Sequence, residues 1–334
     1  MILWYVIFVF LFLIILLFSL EAYCSFRKKS FLEVLHPSWF DDVTVFPEHD
    51  FPCTVNCEEY NSTVKKGFET MKLKKIVFGG LCMNIRDLVP NLIKRVQHLG
   101  SHFQEYKFVV FENDSTDGTR ELLSSYSSVI LVPCDEDENC KLKEKGSASI
   151  HGGYSPMRMK KMADYRNRLL NYIRQNFDTY DCLCIVDLDI EGPVDIRGFA
   201  HSFGYYNKWD SISAQGLLGT IPTLGYMIYY DTIAYKDEYL DMNTISKTHA
   251  SLIINKASKY KVGDFPYKVK SGFCGLALYK MNSIINADYT PKDGKYICEH
   301  VILHDNMIDQ GYDNIYINPN MLVLVGAQGT PKIY

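Results

Sequence analysis

The chain has no long basic run. Its 35 lysines and arginines are outnumbered by 39 aspartates and glutamates, for a formal net charge of −4. It therefore lacks the electrostatic footprint of a nucleic-acid-binding protein. It shows no internal repeat of useful period, which excludes solenoids and propellers. It is not short of apolar residues: 47% hydrophobic and 14% aromatic side chains over 334 residues exclude a disordered chain and permit a large core. None of its 10 cysteines falls into a convincing zinc-ligand pattern. Charge is missing altogether from Met1 to Leu20, which is apolar apart from Tyr5 and Ser19. Without a basic n-region or a clear small-residue cleavage site, this segment does not fit a signal peptide. Twenty helical residues span about 30 Å, so residues 1–20 read as a single-pass transmembrane anchor. The nearest basic cluster, Arg27-Lys28-Lys29, follows the span. By the positive-inside rule that places the remainder in the cytoplasm, whereas anchored secretory proteins are usually lumenal; the orientation stays open.

What is present centres on Asp181-Cys-Leu-Cys-Ile-Val-Asp187-Leu188-Asp189. Cys182 to Val186 is a continuous apolar run, as expected of a strand buried on both faces of a parallel sheet. Cys182 and Cys184 share one face of it and read as core. Cys53/Cys57 and Cys134/Cys140 are spaced for local disulfides in an oxidising compartment. The run ends in two acids, Asp187 and Asp189, where ligand sites of open α/β sheets lie. Two carboxylates there repel unless a hard divalent cation, Mn²⁺ or Mg²⁺, sits between them and also takes phosphate oxygens. The alternative is that both merely start a turn.

Residues 21–73 hold several prolines and no sustained period, and read as a stem or N-terminal extension. From residue 74 the pattern is α/β. Lys75 to Leu81 reads as a strand and Leu88 to Leu99 as a helix closed by Gly100. Lys107 to Phe111 reads as a second strand running into Glu112-Asn-Asp-Ser-Thr-Asp-Gly-Thr119. Glu112, Asn113 and Asp117 there are candidates to grip a nucleoside; a well-capped turn explains the same residues. After the strand Val129 to Val132 come an acidic loop, Asp135 to Glu138, and glycine-rich residues 146–153. The helix Met157 to Asn176 follows. On it Arg166 is the candidate for pairing with a diphosphate, since guanidinium holds two oxygens at once.

The order of these motifs, with Met162-Ala-Asp-Tyr-Arg-Asn167 between the acid-rich loop and Val186-Asp-Leu-Asp189, resembles nucleotide-sugar glycosyltransferases of the GT-A fold. The resemblance spans roughly residues 74–325. Arg158-Met-Lys-Lys-Met-Ala-Asp-Tyr-Arg-Asn167 is also similar to a helix motif of the capsule-associated fungal mannosyltransferase family. What this implies is a GT-A-like single Rossmann-type sheet domain with helices on both faces. Residues 74–190 would form the nucleotide-binding half and 191–334 the acceptor half. The implied activity is transfer of a hexose from a UDP- or GDP-linked donor to a hydroxyl of a glycan or glycoconjugate. Glu112-Asn113 stands where the superfamily has paired aspartates.

On the acceptor side the resemblance points to Asp231, equally readable as a surface turn, and to Gly272 and Gly275. Those glycines would let backbone approach a sugar, or would serve a strand bulge. Cys298-Glu299-His300 opens a helix where GT-A enzymes carry an acid pair, so Glu299 or His300 would act on the acceptor proton in an inverting reaction. A retaining enzyme needs no such base. His304 would complete the metal shell, as no histidine follows it; a hydrogen-bonded core histidine explains it as well. A nucleotidyltransferase ranks lower, because Phe78-Gly-Gly-Leu-Cys-Met-Asn84 has no basic residue before Arg86. A tethered, non-catalytic carbohydrate-binding protein is the other alternative.

Overall fold

The computed structural model describes residues 8–16, 19, 39, 41–134, 156–219, 227–240 and 247–327. The first half contains α1 (Cys57–Met71), β1 (Lys75–Cys82), α2 (Val89–Gly100), β2 (Glu105–Glu112), α3 (Thr119–Ser124), β3 (Val129–Pro133), α4 (Pro156–Phe177) and β4 (Cys182–Val186). The second contains α5 (Ile196–Gly204), β5 (Ser211–Gly219), β6 (Met227–Tyr229), α6 (Lys247–Ala257), β7 (Tyr267–Lys268), β8 (Leu276–Lys280), α7 (Glu299–Ile308) and β9 (Ile315–Ala327). The strands form one 9-stranded mixed sheet in the order β3-β2-β1-β4-β8-β5-β9-β7, with β6 paired to β5. β1 to β4 are parallel, and β8 lies antiparallel between β4 and β5.

Helices cover both faces. Ile76 and Phe78 of β1 and Cys182, Cys184 and Val186 of β4 pack with α1, α2 and α5; Val77, Leu183 and Ile185 pack with α4 and α7. Two covered faces explain why β4 is apolar at every position rather than at alternate ones. Cys182 and Cys184 are buried free thiols, as their spacing implied. Cys53 and Cys57 are bridged. Cys134 is also disulfide-bonded, its partner lying outside the described residues.

The stem reading of residues 21–73 does not hold for their last third. Tyr60, Val64 and Met71 of α1 are buried in the core, and Thr54 N–H donates to the Val262 carbonyl. The close fit depends on glycines. A Cβ at Gly67 of α1 would lie 1.7 Å from the Ala200 carbonyl oxygen of α5, and one at Gly198 would lie 1.6 Å from that of Asn320 in β9. The predicted anchor is described only in part. Residues 8–16 are helical with Phe8, Phe10, Phe12 and Ile15 exposed. Among the described residues no helix is long and apolar enough to cross a membrane. The acidic loop at 135–138 and the glycine-rich stretch at 146–153 lie outside the described residues.

Candidate active site

From β1 the chain moves outward to β2 and β3, then returns to β4 on the other side of β1. The carboxyl ends of β1 and β4 therefore flank the topological switch point, where a ligand crevice opens in sheets of this kind. Asp187 leaves β4 there, its N–H donating to the Gly275 carbonyl at 2.9 Å.

The loop after β2 is laced to the turn after β1. Ser115 Oγ accepts from Asn84 N–H, Thr119 Oγ1 from Ile85 N–H and Asp117 Oδ2 from Arg86 N–H, while Asn84 Oδ1 accepts from Thr116 N–H. Asp117 Oδ1 also accepts from the Thr119 N–H and hydroxyl. Glu112 is fully buried, accepting from Ser115 N–H and from Arg120 Nε. Both carboxylates proposed to grip a nucleoside thus have their oxygens engaged in shaping the loop. The turn-forming pattern of this loop is matched by its hydrogen bonds, which are those of a well-capped turn. Asn113 keeps a buried Oδ1 without a hydrogen-bond partner among the described residues, and Asp114 is exposed with a left-handed φ of 56°.

Successive residues of α4 point about 100° apart, and three of them link the segments at the switch point. The Tyr165 ring stacks on Phe111 of β2, and its hydroxyl hydrogen-bonds the Asn113 side chain. Arg166 Nε donates to Glu299 Oε1 at 2.9 Å, and its Nη2 lies 3.3 Å from Asp187 Oδ1. Asn167 Oδ1 accepts from Tyr289 N–H, and its Nδ2 donates to Thr290. Arg166 is only 4% exposed, and its buried Nη1 has no hydrogen-bond partner among the described residues. Burial opposes its charge, but Glu299, Tyr289 and Asp187 more than offset that and hold its pKa above the ordinary value.

Burial pushes the Asp187 carboxyl well above the usual range; Arg166 opposes the shift, while Asp189, Asp231 and Glu299 add to it. Asp231 is pushed up to about 6, chiefly by burial and then by Glu299. It also occupies a left-handed φ of 58°, as does Cys274 at 56°, and non-glycine strain of this kind clusters at functional sites. The structure thus bonds Arg166 to Asp187 and Glu299 and sets Asp189 and Asp231 within electrostatic range of Asp187, residues that the sequence scatters over some 130 positions.

Other candidates sit differently. Gly272 would place a Cβ 2.8 Å from Ile317 and 2.9 Å from Ser213, so its role is core packing. Gly275, at φ 83°, makes the turn that presents its carbonyl to Asp187. The His300 ring is 2% exposed, stacks on Phe273 at 3.6 Å, and among the described residues has no hydrogen-bond partner on either nitrogen. Arg166 lies over the same Phe273 ring. Burial, then Arg166 and His304, drive the His300 pKa well below its ordinary value, so it lacks the access a base acting on acceptor needs. Glu299 is 7% exposed and holds Arg166.

His304 is not a metal ligand in this geometry. It is fully buried, with Nε2 3.2 Å from Ser211 Oγ and Nδ1 3.0 Å from Ser271 Oγ. Burial lowers its pKa from 6.5 to about 3. Below pH 6.5 the unfolded chain therefore takes up a proton that the folded one does not. The stability His304 confers is complete above its unfolded pKa and is lost as pH falls toward the folded value. In denaturant titrations the advantage of wild type over His304→Gln should shrink by about 2 kcal/mol between pH 7 and pH 5. A constant difference would mean that the imidazole titrates normally in the folded protein.

No protein-family model matches the chain, and no curated protein matches it in sequence. Among solved structures it is similar to the mannosyltransferase PcManGT from Pyrobaculum calidifontis, solved in complex with GDP-Man and Mn²⁺. The two are 12% identical, with a TM-score of 0.42 over 83% of this chain and 65% of that one. A superposition that loose transfers neither residues nor ligands, and the chain spans less than two thirds of that protein's length.

Whether a cation suits the site rests on its own donors. Among the described residues no three His, Cys, Asp and Glu side chains are grouped to hold an ion. Asp187 and Asp189 are hard oxygen donors in a cluster of like charge that Arg166 only partly offsets. Two carboxylates completed by phosphate oxygens and water form a site of the kind Mg²⁺ takes, and Mn²⁺ suits the same ligands. The residues fit a shared metal rather than a closed cage.

Proposed function

We propose that the chain is a metal-dependent glycosyltransferase of GT-A-like fold, moving a sugar from a UDP- or GDP-linked donor to a hydroxyl of a glycan or glycoconjugate. The observation that supports this most is the placement of Arg166. It is a buried guanidinium at the switch point, bonded to Glu299 and Asp187. Its positive charge, fixed beside Asp187, suits a diphosphate drawn to the same place.

Asp187 and Asp189 would hold Mn²⁺ or Mg²⁺, which when bound supplies Lewis-acid neutralisation of charge on the departing diphosphate. Arg166 would stabilise the same charge from the protein side, in a setting fixed before reaction. Glu299 acts through Arg166, orienting it, rather than as a base. Asn113 and Asp114 would meet the nucleoside, and Asp231 is the carboxylate best placed to meet the acceptor. The finer kinship, with capsule-associated fungal mannosyltransferases, rests on Arg158 to Asn167. Residues 1–20 would tether the enzyme to a membrane.

A thermal-shift screen of the full-length protein against UDP, GDP, CMP and their sugars, with and without Mn²⁺, tests this reading. Stabilisation by one nucleotide only when metal is present is expected, about 2.7 kcal/mol at a hundred times its Kd. Asp189→Ala should lose that response and stay folded. Wild-type binding by Asp189→Ala with metal present would overturn the metal assignment, and no response to any nucleotide in folded wild type would favour a non-catalytic protein.

A further inference from the structure

The turn after β4 is clamped at every residue around Asp189. Leu188 fits against Gly80 of β1, where a Cβ would lie 2.5 Å from its side chain. Glu191 and Gly192 donate their N–H groups to the Val325 and Leu324 carbonyls of β9. The carbonyls on the other side are taken by one side chain from another element. Arg95 of α2 donates from Nε to Gly192 O at 3.0 Å and from Nη2 to Ile190 O at 2.9 Å.

Arg95 is 2% exposed and, among the described residues, has no carboxylate partner, and its buried Nη1 has no hydrogen-bond partner. Burial lowers its pKa to about 10. It lies among Leu92, Val96 and Leu99 on the apolar stripe of α2, where leucine or methionine would fill the space without placing a charge in the core. What an apolar residue lacks is a planar fork reaching two carbonyls at once.

We propose that Arg95 is the positioning residue of the carboxylate pair: its fork fixes the 190–192 backbone and thereby holds Asp189 where it can share a divalent cation with Asp187. This rests on the metal-site reading given above. Partners one shell removed from a metal typically affect its affinity about 10- to 100-fold.

The test is Mn²⁺ binding alone, followed by electron paramagnetic resonance of the free ion, on full-length wild type, Arg95→Met, Arg95→Lys and Asp189→Asn. Arg95→Met is expected to fold cooperatively yet bind Mn²⁺ about tenfold or more weakly, and Arg95→Lys, which keeps the charge and one donor, to recover part of that loss. If Asp189→Asn weakens binding while Arg95→Met binds as wild type, the positioning role is overturned and the metal site stands. If Asp189→Asn itself binds as wild type, the metal site fails and the role of Arg95 falls with it. Should Arg95→Met not fold, Arg95→Lys decides: affinity weakened several-fold supports the role, and unchanged affinity overturns it.

Discussion

Asp187→Asn is expected to leave the protein at least as stable as wild type while lowering turnover of a nucleotide-sugar donor about 100- to 1,000-fold, the usual cost of removing one well-placed electrostatic group. The two effects separate because they rest on different atoms. The backbone N–H of residue 187 holds the Gly275 carbonyl, and asparagine leaves that bond intact. The amide oxygen can still accept from Arg166 Nη2. What disappears is a partly buried carboxyl whose ionisation is opposed by burial and by Asp189, Asp231 and Glu299. Calorimetric melts beside a donor-hydrolysis or transfer assay would show it. A large fall in Tm with activity preserved would assign Asp187 a structural role and remove the main support for the metal site.

The largest stability loss is expected at Gly198. The nearest atom to an added Cβ is a backbone oxygen at 1.6 Å, so relief requires moving α5 off β9 rather than turning a side chain. Overpacking a core costs about 1–3 kcal/mol when side chains can adjust, and Gly198→Ala should exceed that range because they cannot. Gly67→Ala, against the Ala200 carbonyl at 1.7 Å, should behave similarly. Gly294→Ala is the control: nothing lies within 4 Å, so only its φ of 72° counts, at a cost of about 1 kcal/mol. Urea titrations of the three variants would rank them. Equal losses at Gly198 and Gly294 would mean that the helix contact is looser than described.

Some elements were plain in the chain alone, and others resisted for identifiable reasons. β4 coincides with its apolar run because burial on both faces leaves no polar position to blur its ends. α1 was hidden although Tyr60, Val64, Gly67 and Met71 follow a helical stripe, because glycine at the tightest contact contributes no apolar signal. Glu112 and Asp117 belong to the expected loop, yet spacing cannot reveal that Ser115, Arg120, Arg86 and Thr119 would use up their oxygens. His304 follows the same logic, since Ser211 and Ser271 reach it from distant segments. Arg95 left a trace, a cation within an apolar stripe, but its partners lie more than ninety positions downstream.

The sequence by itself determined the α/β alternation and the paired acids at the end of β4; it singled out Arg166 as a partner for a diphosphate, and only the fold revealed its bond to Asp187. Each depends on local pattern: which residues are apolar at which period, and where a strand stops. Tertiary structure alone decided which polar atoms remain available. Hydrogen-bonding capacity is consumed by whichever groups the fold brings within about 3 Å, and that proximity is set by sheet order and helix packing rather than by neighbours in the chain.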